Sequence, residues 1–176
     1  VIHNRRKSFI EEFSPIFQYY YNFISSDKEK VSLEYVSDDL ENNYEKLLDD
    51  SIEKDRILRY TSIGIHKDDL GLMMNDNSVK RFASQGQQKS FLLALKLAQF
   101  EYIFKRTKIK PILLLDDIFD KLDLKRINQL LVLTAGERFG QVFITDTQLG
   151  RVESMFEQTN MEHKIYRISQ KGIDYE

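Results

Sequence analysis

The sequence Ser84-Gln85-Gly86-Gln87-Gln88 opens a long amphipathic stretch, and Ile112-Leu113-Leu114-Leu115-Asp116-Asp117 follows it. The first has the pattern of a phosphate-facing loop at a helix N-terminus, where unpaired backbone N–H groups and the helix dipole favour an anion. The second is an apolar strand that ends in two carboxylates. Together they predict half of a nucleotide site. The other half, a Gly-x-x-x-x-Gly-Lys-Ser/Thr loop that cradles phosphates, is absent from these residues.

The bulk composition is that of an ordinary globular chain. Of the 176 residues, 41% are hydrophobic and 31% are charged, and the formal net charge of −2 gives no global electrostatic argument for nucleic-acid binding. The absence of cysteine excludes disulfides and thiolate chemistry, and it fits a cytoplasmic protein. No apolar run approaches the roughly 20 residues that span a bilayer, and no signal peptide is visible. Because the chain begins at Val1 rather than Met, we expect a fragment whose natural start lies upstream.

The first 60 residues are typical of a mainly helical arm in which nothing points to chemistry. Apolar side chains at three- and four-residue spacing predict a helix over residues 4–24, with a kink at Pro15. Alternating polarity over residues 31–36 predicts a half-buried strand. A second amphipathic helix follows, with its apolar side chains at Leu40, Tyr44, Leu47, Leu48 and Ile52. We therefore expect one subdomain over residues 1–60 and a second over residues 61–176.

Strands and helices alternate in the second subdomain. The pattern predicts strands near residues 70–74 and 79–82, a loop at 83–86 and a helix over about 87–105. It then predicts strands at 112–115, 141–145, 164–168 and 173–175, and helices at 124–137 and 149–157. This alternation around a uniformly apolar strand predicts an α/β fold with a central, largely parallel sheet.

The segment from Ser84 to Gln87 has two interpretations. A phosphate at a helix N-terminus would be bound by backbone N–H groups, with Gly86 permitting a close approach and Ser84 adding a hydroxyl donor. The alternative is a serine N-cap followed by a glycine-containing turn, which is common in helical proteins. Both interpretations stay open at the level of sequence.

Asp116 and Asp117 end the apolar strand at the edge of the sheet where open α/β folds bind ligands. The first carboxylate can hold Mg²⁺, directly or through water, and the second can orient or polarise an attacking water. The alternative is a pair of solvated aspartates that begin a loop. The four consecutive apolar residues before the pair favour the functional interpretation.

Other polar segments are less specific. Residues 120–123 either cap the following helix or form a loop that crosses a dimer interface, and residues 145–147 either sense a terminal phosphate or are a polar strand end. Residues 64–70 form a charged loop, and His66 has no second histidine at ligand spacing, so a metal site is not expected there. Basic side chains in and after the long helix either neutralise nucleic-acid phosphates or form a solvated face: Lys89, Lys96, Lys105, Arg106, Lys108 and Lys110.

The order and spacing of these segments resembles the RecF family of bacterial recombination-mediator ATPases, which is related to the SMC-type and ABC-type ATPases. The resemblance rests on residues 64–70, 82–89, 113–117 and 122–123, and it covers essentially the whole chain. It matches the C-terminal part of the family, whose N-terminal part would hold the missing loop, the Walker A motif. It implies the C-terminal part of an ABC/SMC-type ATPase head, together with a mainly helical arm.

The resemblance also implies roles for individual residues. Ser84, Gln85, Gly86 and Gln87 match the ABC signature motif, which in such proteins contacts the terminal phosphate of ATP bound to the opposite subunit. Asp116 matches the Walker B ligand of Mg²⁺.

Three further matches follow from the same resemblance. Asp117 stands at the catalytic position, where most ABC proteins have glutamate and RecF-like proteins have aspartate. Residues 120–123 match the D-loop, which places Asp123 among the ATP-contacting residues. Residues 145–147 occupy the switch position, where many ABC proteins have histidine, and this match places Thr145 among the nucleotide-contacting residues. The family's Gly-Pro-His-Arg appears as Gly64-Ile65-His66-Lys67, and the change to lysine alters the hydrogen-bonding shape, so we assign it no role.

The implied function is ATP-dependent binding to double-stranded or gapped DNA as a homodimer, which promotes recombinase loading, with RecO and RecR as protein partners and no membrane. ATP and Mg²⁺ are expected to bind only together with the Walker A segment. The chain alone is then inactive, and the full-length protein is a weak DNA-dependent ATPase. Two alternatives remain at this point: another SMC/ABC-type repair ATPase or nuclease-associated head, and a non-enzymatic interaction module.

Overall fold

A computed structural model describes residues 1–26, 28–38, 40–119, 122–136, 138–148, 150, 153, 156, 162–169 and 172–175. The elements in chain order are α1 (Ile2–Ser25), β1 (Val31–Val36), α2 (Leu40–Leu58), β2 (Asp69–Met74), β3 (Asn77–Ser78), α3 (Val79–Phe82), α4 (Gln85–Thr107), β4 (Leu113–Leu115), α5 (Leu124–Ala135), β5 (Val142–Ile144), β6 (Tyr166–Ser169) and β7 (Gly172–Tyr175). Most of the predicted helix over 149–157 lies outside the described residues, as do Asp120 and Lys121 of the predicted D-loop.

The chain forms two compact units, residues 1–102 and residues 103–176. The division at residue 60, into an arm and part of an ATPase head, stays a prediction. None of the helices in the described ranges is both long enough and apolar enough to cross a membrane.

The first unit packs α1 and α4 around an aromatic core and places an antiparallel sheet beside α1. The ring of Phe17 lies 4.6 Å from that of Phe91, and both side chains are almost completely buried. Burial of such rings supplies the largest apolar areas in a protein core. The Tyr20 hydroxyl donates to Glu101 at 2.6 Å, which adds a polar link between the two helices. The predicted helix over residues 4–24 is confirmed as α1, and Pro15 lies within α1 without ending it.

The sheet of the first unit has the strand order β1-β2-β3, with both pairs antiparallel. Strand β1 pairs with the whole of β2, from Val31 opposite Met74 to Val36 opposite Asp69. Asn75 and Asp76 connect β2 to β3 with φ angles of 47° and 62°. Two consecutive left-handed residues of this kind make the tight hairpin turn that suits the twist of antiparallel strands.

The predicted strand over residues 79–82 is wrong, because these residues form the short helix α3. Strand pairing ends at Ser78, opposite Met73. Val79 is buried while Phe82 is 71% exposed, so the run does not present one continuous apolar surface. A segment of four residues with apolar side chains only at its two ends fits a strand and a single helical turn about equally well, and here the helix forms because the hairpin ends before it.

The second unit contains the predicted parallel pair. Strands β4 and β5 run parallel, with Leu113 opposite Val142 and Leu115 opposite Ile144. Helix α5 buries Ile127, Leu130, Leu131 and Leu133. The antiparallel hairpin β6-β7 follows. These elements confirm a mixed α/β fold, but among the described residues only β4 and β5 are parallel, and the other two sheets are antiparallel.

Candidate functional site

The predicted phosphate loop begins helix α4, and its first residues form a reciprocal capping box. The Ser84 hydroxyl oxygen accepts from the Gln87 backbone N–H at 3.2 Å, and Gln87 Oε1 accepts from the Ser84 backbone N–H at 2.8 Å. The Ser84 carbonyl accepts the first helical bond, from Gln88 at 2.9 Å. Ser84 is therefore an N-cap, and Gln87 is its partner at the third helical position. The Ser-x-x-Gln spacing would have revealed this partnership from the sequence.

The capping box leaves three donors at the helix N-terminus. In the described part of the chain, the backbone N–H groups of Gln85 and Gly86 have no protein acceptor. Because the Ser84 oxygen accepts from Gln87, the Ser84 hydroxyl proton remains available to an outside acceptor. Ser84 and Gln85 are exposed. The N-cap interpretation and the phosphate-loop interpretation are therefore compatible, since the cap uses donors other than those that face outward.

Asp116, Asp117 and Thr145 lie together at the carboxyl ends of β4 and β5. The Thr145 backbone N–H donates to the Leu115 carbonyl at 3.0 Å, which extends the parallel pairing by one residue. The Thr145 hydroxyl donates to Asp116 Oδ1 and accepts from the Asp117 backbone N–H at 3.2 Å. One hydroxyl group therefore holds the first carboxylate and the backbone of the second in fixed positions.

Asp117 has a φ of 46°, in the left-handed region of backbone conformation. Aspartate and asparagine adopt this conformation more readily than most residues that have a Cβ atom. The conformation gives a physical reason for aspartate rather than the longer glutamate at this position. Asp116 and Asp117 are both exposed.

Asp116 fits the role of a Mg²⁺ ligand. Its Oδ1 accepts from Thr145, and its Oδ2 has no protein partner within the described residues. The described ranges contain no group of three or more side chains that would hold a metal ion by themselves. Mg²⁺ commonly binds one or two carboxylates and takes its other ligands from water and nucleotide phosphates, so a single aspartate at a strand end suits it.

Asp123 is the N-cap of α5. Its Oδ1 accepts from the Arg126 backbone N–H at 2.8 Å, and its Oδ2 lies 3.5 Å from Arg126 Nε. The capping interpretation of this segment is therefore present in the structure. The D-loop role of Asp123 stays a prediction.

The charged segment over residues 64–70 is hydrogen-bonded to α1 and β1. Arg6 Nη1 donates to the Ile65 carbonyl at 2.6 Å and to Asp68 Oδ2 at 2.7 Å, and the Tyr35 hydroxyl donates to the same carboxylate oxygen. The Asp68 side chain is only 3% exposed. His66 Nε2 lies 2.8 Å from the Thr61 carbonyl. Sequence patterns did not identify Tyr35 and Arg6 as partners of Asp68, because the contacts join residues far apart in the chain.

We expect Asp68 to make the protein more stable at neutral pH than in acid. Burial would raise the pKa of Asp68, but hydrogen bonds from Tyr35 and Arg6 outweigh it, and the pKa lies below the ordinary 3.8. A depressed pKa in the folded state contributes stability above the unfolded pKa, and this contribution is lost as pH falls through the folded pKa. The free energy of unfolding of the wild-type protein should therefore exceed that of Asp68→Asn at pH 7, and the difference should shrink below about pH 4. Urea unfolding across this range measures it.

The exposed neighbour provides the control for this prediction, since Asp69→Asn should change the pH dependence little. A gap between wild type and Asp68→Asn that stayed constant from pH 7 to pH 3 would contradict the assigned role of the carboxylate.

Solved structures show the fold first. The chain resembles a structure described as the recombination mediator RecF with ATP, with a TM-score of 0.68 and 24% identity, over 98% of this chain and 45% of that one. It also resembles a structure described as an SMC ATPase that undergoes ATP-driven dimerisation, with a TM-score of 0.56 and 15% identity, over 98% of this chain and 87% of that one. The fold is therefore one that RecF and SMC ATPase structures share.

Sequence relatives define the family. The DNA replication and repair protein RecF of Bacteroides thetaiotaomicron is 44% identical over 174 residues, which are 99% of this chain and 47% of that protein. RecF of Flavobacterium johnsoniae is 48% identical over 167 residues, 95% of this chain and 46% of that protein. The chain belongs to the RecF family and spans about half the length of the curated relatives it matches. No protein-family model matches it. The family resemblance predicted from the motifs is confirmed, and neither alternative gains support from these relatives.

Proposed function

We propose that the chain is part of a RecF-type repair ATPase in which ATP binding drives dimerisation on double-stranded or gapped DNA and promotes recombinase loading. The observation that carries this proposal is the cluster of Asp116, Asp117 and Thr145 at the carboxyl ends of two parallel strands, in a chain of the RecF family. Ligands of α/β proteins bind at this edge of a sheet.

The signature segment supplies donors to a nucleotide held by a second subunit. The N–H groups of Gln85 and Gly86 and the Ser84 hydroxyl lie at the start of α4 with no acceptor among the described residues, and the helix dipole also favours negative charge there. A terminal phosphate at this position would link the two subunits, and its loss on hydrolysis would weaken the link. Two copies arranged in this way form an isologous, two-fold dimer.

Asp116 and Asp117 have different roles at the strand ends. Asp116 would hold Mg²⁺, which would neutralise charge on the phosphates of ATP. Asp117 orients the attacking water and accepts its proton, because its backbone is fixed by Thr145 and its carboxylate lies at the open edge of the sheet. Asp123 contacts the nucleotide or the partner subunit from the start of α5 in the proposed dimer.

The DNA-binding part of the proposal rests on family and on charge. Lys96 and Lys105 are exposed on α4, and basic side chains of this kind bind DNA mainly through its phosphate backbone. Residues 1–60 form the arm and residues 61–176 the head part in this proposal. RecO and RecR are the protein partners that the family implies.

The test is Mg-ATP hydrolysis, with and without duplex DNA, by this chain alone and by a complete protein that adds the Walker A segment. We expect activity only in the complete protein, because the chain contributes the signature and Walker B groups without the phosphate-cradling loop. Hydrolysis by the isolated chain would show that the nucleotide site is misassigned. No hydrolysis and no ATP response in either protein would instead favour a binding module.

Replacing Thr145 with valine should lower hydrolysis by the complete protein about 10- to 100-fold, as loss of a group that orients a metal ligand commonly does. Valine keeps the branched shape but removes the hydroxyl that joins Asp116 to the Asp117 backbone. Because this role concerns the carboxylates and not the phosphate, ATP-dependent dimerisation should change by less than about threefold. Steady-state hydrolysis and light scattering against ATP concentration measure both quantities.

Thr61→Val is the matched control for this prediction, since Thr61 is exposed and lies outside residues 145–147. Equal losses of hydrolysis and dimerisation in Thr145→Val would indicate direct contact with the terminal phosphate, which is the switch role that the family resemblance implies.

A further inference from the structure

Glu29 contacts the predicted signature motif from the connection between α1 and β1. Its Oε1 accepts from Gln87 Nε2 at 3.1 Å, across 58 positions of sequence. Gln87 is the residue whose side chain closes the capping box with Ser84. A residue outside every recognised motif therefore holds the side chain that shapes the start of α4.

The carboxylate of Glu29 determines which way the Gln87 amide points. Gln87 Oε1 accepts from the Ser84 backbone N–H, so the amide nitrogen must point in the other direction. An ionised carboxylate only accepts hydrogen bonds, so Glu29 is satisfied by the amide nitrogen and would repel the amide oxygen. The opposite orientation would remove the acceptor of the Ser84 backbone N–H and would set the amide oxygen against the Glu29 carboxylate. Glu29 thus selects the amide orientation that the capping box requires.

Glu29 is itself held in place by the sheet and by α1. The neighbouring Lys30 backbone N–H donates to Asn75 Oδ1 at 3.0 Å, and the Lys30 carbonyl accepts from the Asn75 backbone N–H at 2.8 Å. This reciprocal pair fixes the connection to the β2-β3 turn. The hydroxyl of the buried Tyr21 lies 3.5 Å from Glu29 Oε2. The carboxylate therefore has a defined position although it lies outside regular secondary structure.

We propose that Glu29 is a positioning residue for the signature motif. Its carboxylate keeps Gln87 in the orientation that closes the capping box, and the closed box leaves the Ser84 hydroxyl proton directed to an outside phosphate. The inference rests on the proposed function, since it assigns Glu29 to the contact between the signature segment and the ATP of the opposite subunit. Glu29 acts through Gln87 and Ser84 and does not touch the nucleotide.

The test uses the complete protein and exchanges the donor and the acceptor. Glu29→Ala should raise the ATP concentration for half-maximal dimerisation about three- to tenfold, the range that one ordinary hydrogen bond commonly contributes. Gln87→Glu keeps a capping-box residue but sets two carboxylates against each other, and it should raise this concentration by a similar factor. The double variant Glu29→Gln with Gln87→Glu restores one donor and one acceptor, and it should recover to within about threefold of wild type.

Two readouts separate positioning from a general structural role. The ATP affinity of the monomer, which belongs to the Walker A side, should stay within error of wild type in all three variants, and each variant should still unfold in a single cooperative transition in urea. Backbone amide exchange at Ser84 and Gln87 should accelerate in Glu29→Ala and return towards wild type in the double variant. Glu34→Ala, which removes an exposed carboxylate from the same unit, should change none of these quantities.

The outcomes distinguish this inference from the function on which it depends. If the wild-type protein dimerises in ATP and Glu29→Ala dimerises equally well, the role of Glu29 is overturned but the proposed function is not. The same holds if the double variant dimerises no better than Gln87→Glu. A wild-type protein that does not dimerise in ATP would overturn the proposed function and this inference with it.

Discussion

Replacing Asp117 with asparagine in the complete protein is expected to lower Mg-ATP hydrolysis by about two to four orders of magnitude, the usual contribution of a general base. ATP-dependent dimerisation should persist, because the signature donors and Asp116 are unchanged. The variant should therefore accumulate as an ATP-bound dimer that opens slowly. Single-turnover hydrolysis measures the first effect, and size-exclusion chromatography with ATP measures the second.

The backbone conformation at position 117 should accept this substitution without strain. Asp117 has a positive φ, and asparagine tolerates that conformation as well as aspartate does. Its amide has nearly the same shape, so the Thr145 bond to the backbone N–H should remain. Asp174→Asn, on the exposed hairpin of the same unit, is the control for loss of one carboxylate. Normal hydrolysis by Asp117→Asn would mean that the catalytic role is assigned to the wrong residue.

Replacing Phe17 with alanine should destabilise the protein by about 3–5 kcal/mol, the usual cost of removing a buried phenylalanine. Its side chain is completely buried, and its ring contacts Phe91 of α4 and Tyr21 of α1. The loss combines the transfer of the ring to solvent with the cavity that remains between the two helices. Urea unfolding, monitored by circular dichroism, gives the change in the free energy of unfolding.

Tyr19 provides the comparison on the same helix, since its side chain is 45% exposed. Tyr19→Ala should cost no more than about 1 kcal/mol, because little apolar area is removed from a packed environment. Similar losses in the two variants would show that α1 is not docked through Phe17. Domains of this size are stable by about 5–15 kcal/mol, so Phe17→Ala removes a large share of the free energy of unfolding. Because Phe17 packs against α4, the change should also disturb the position of the signature segment.

The groups near the proposed nucleotide were predictable because they follow directly from strand and helix ends. A uniformly apolar strand followed by two aspartates placed Asp116 and Asp117, and parallel strands brought Thr145 to the same edge. The Ser-x-x-Gln spacing also encodes the start of α4 at Gln85, although the predicted helix began near residue 87. In each case the relevant contacts are local or follow from strand pairing alone.

The supporting contacts were not predictable, because they join segments that sequence order keeps apart. Glu29 reaches Gln87 across 58 positions, and Arg6 reaches Asp68 across 62. No periodicity encodes such pairs. Strand β4 was predicted to be buried on both faces. Leu113 and Leu115 on one face are buried, but Leu114 on the other face is 71% exposed. Uniform apolarity identifies a strand with two apolar faces, but it does not identify what covers the second face.

The hydrogen bonds of Thr145 limit how the protein can diverge. The position requires one atom that both donates and accepts, and among the common side chains of this size only serine and threonine provide it. A histidine has its donor and acceptor on different ring atoms, so it would need a differently shaped loop after β4. Exchange between the two chemistries should therefore be rare along a lineage, and it should coincide with a change in the residue that follows Asp116.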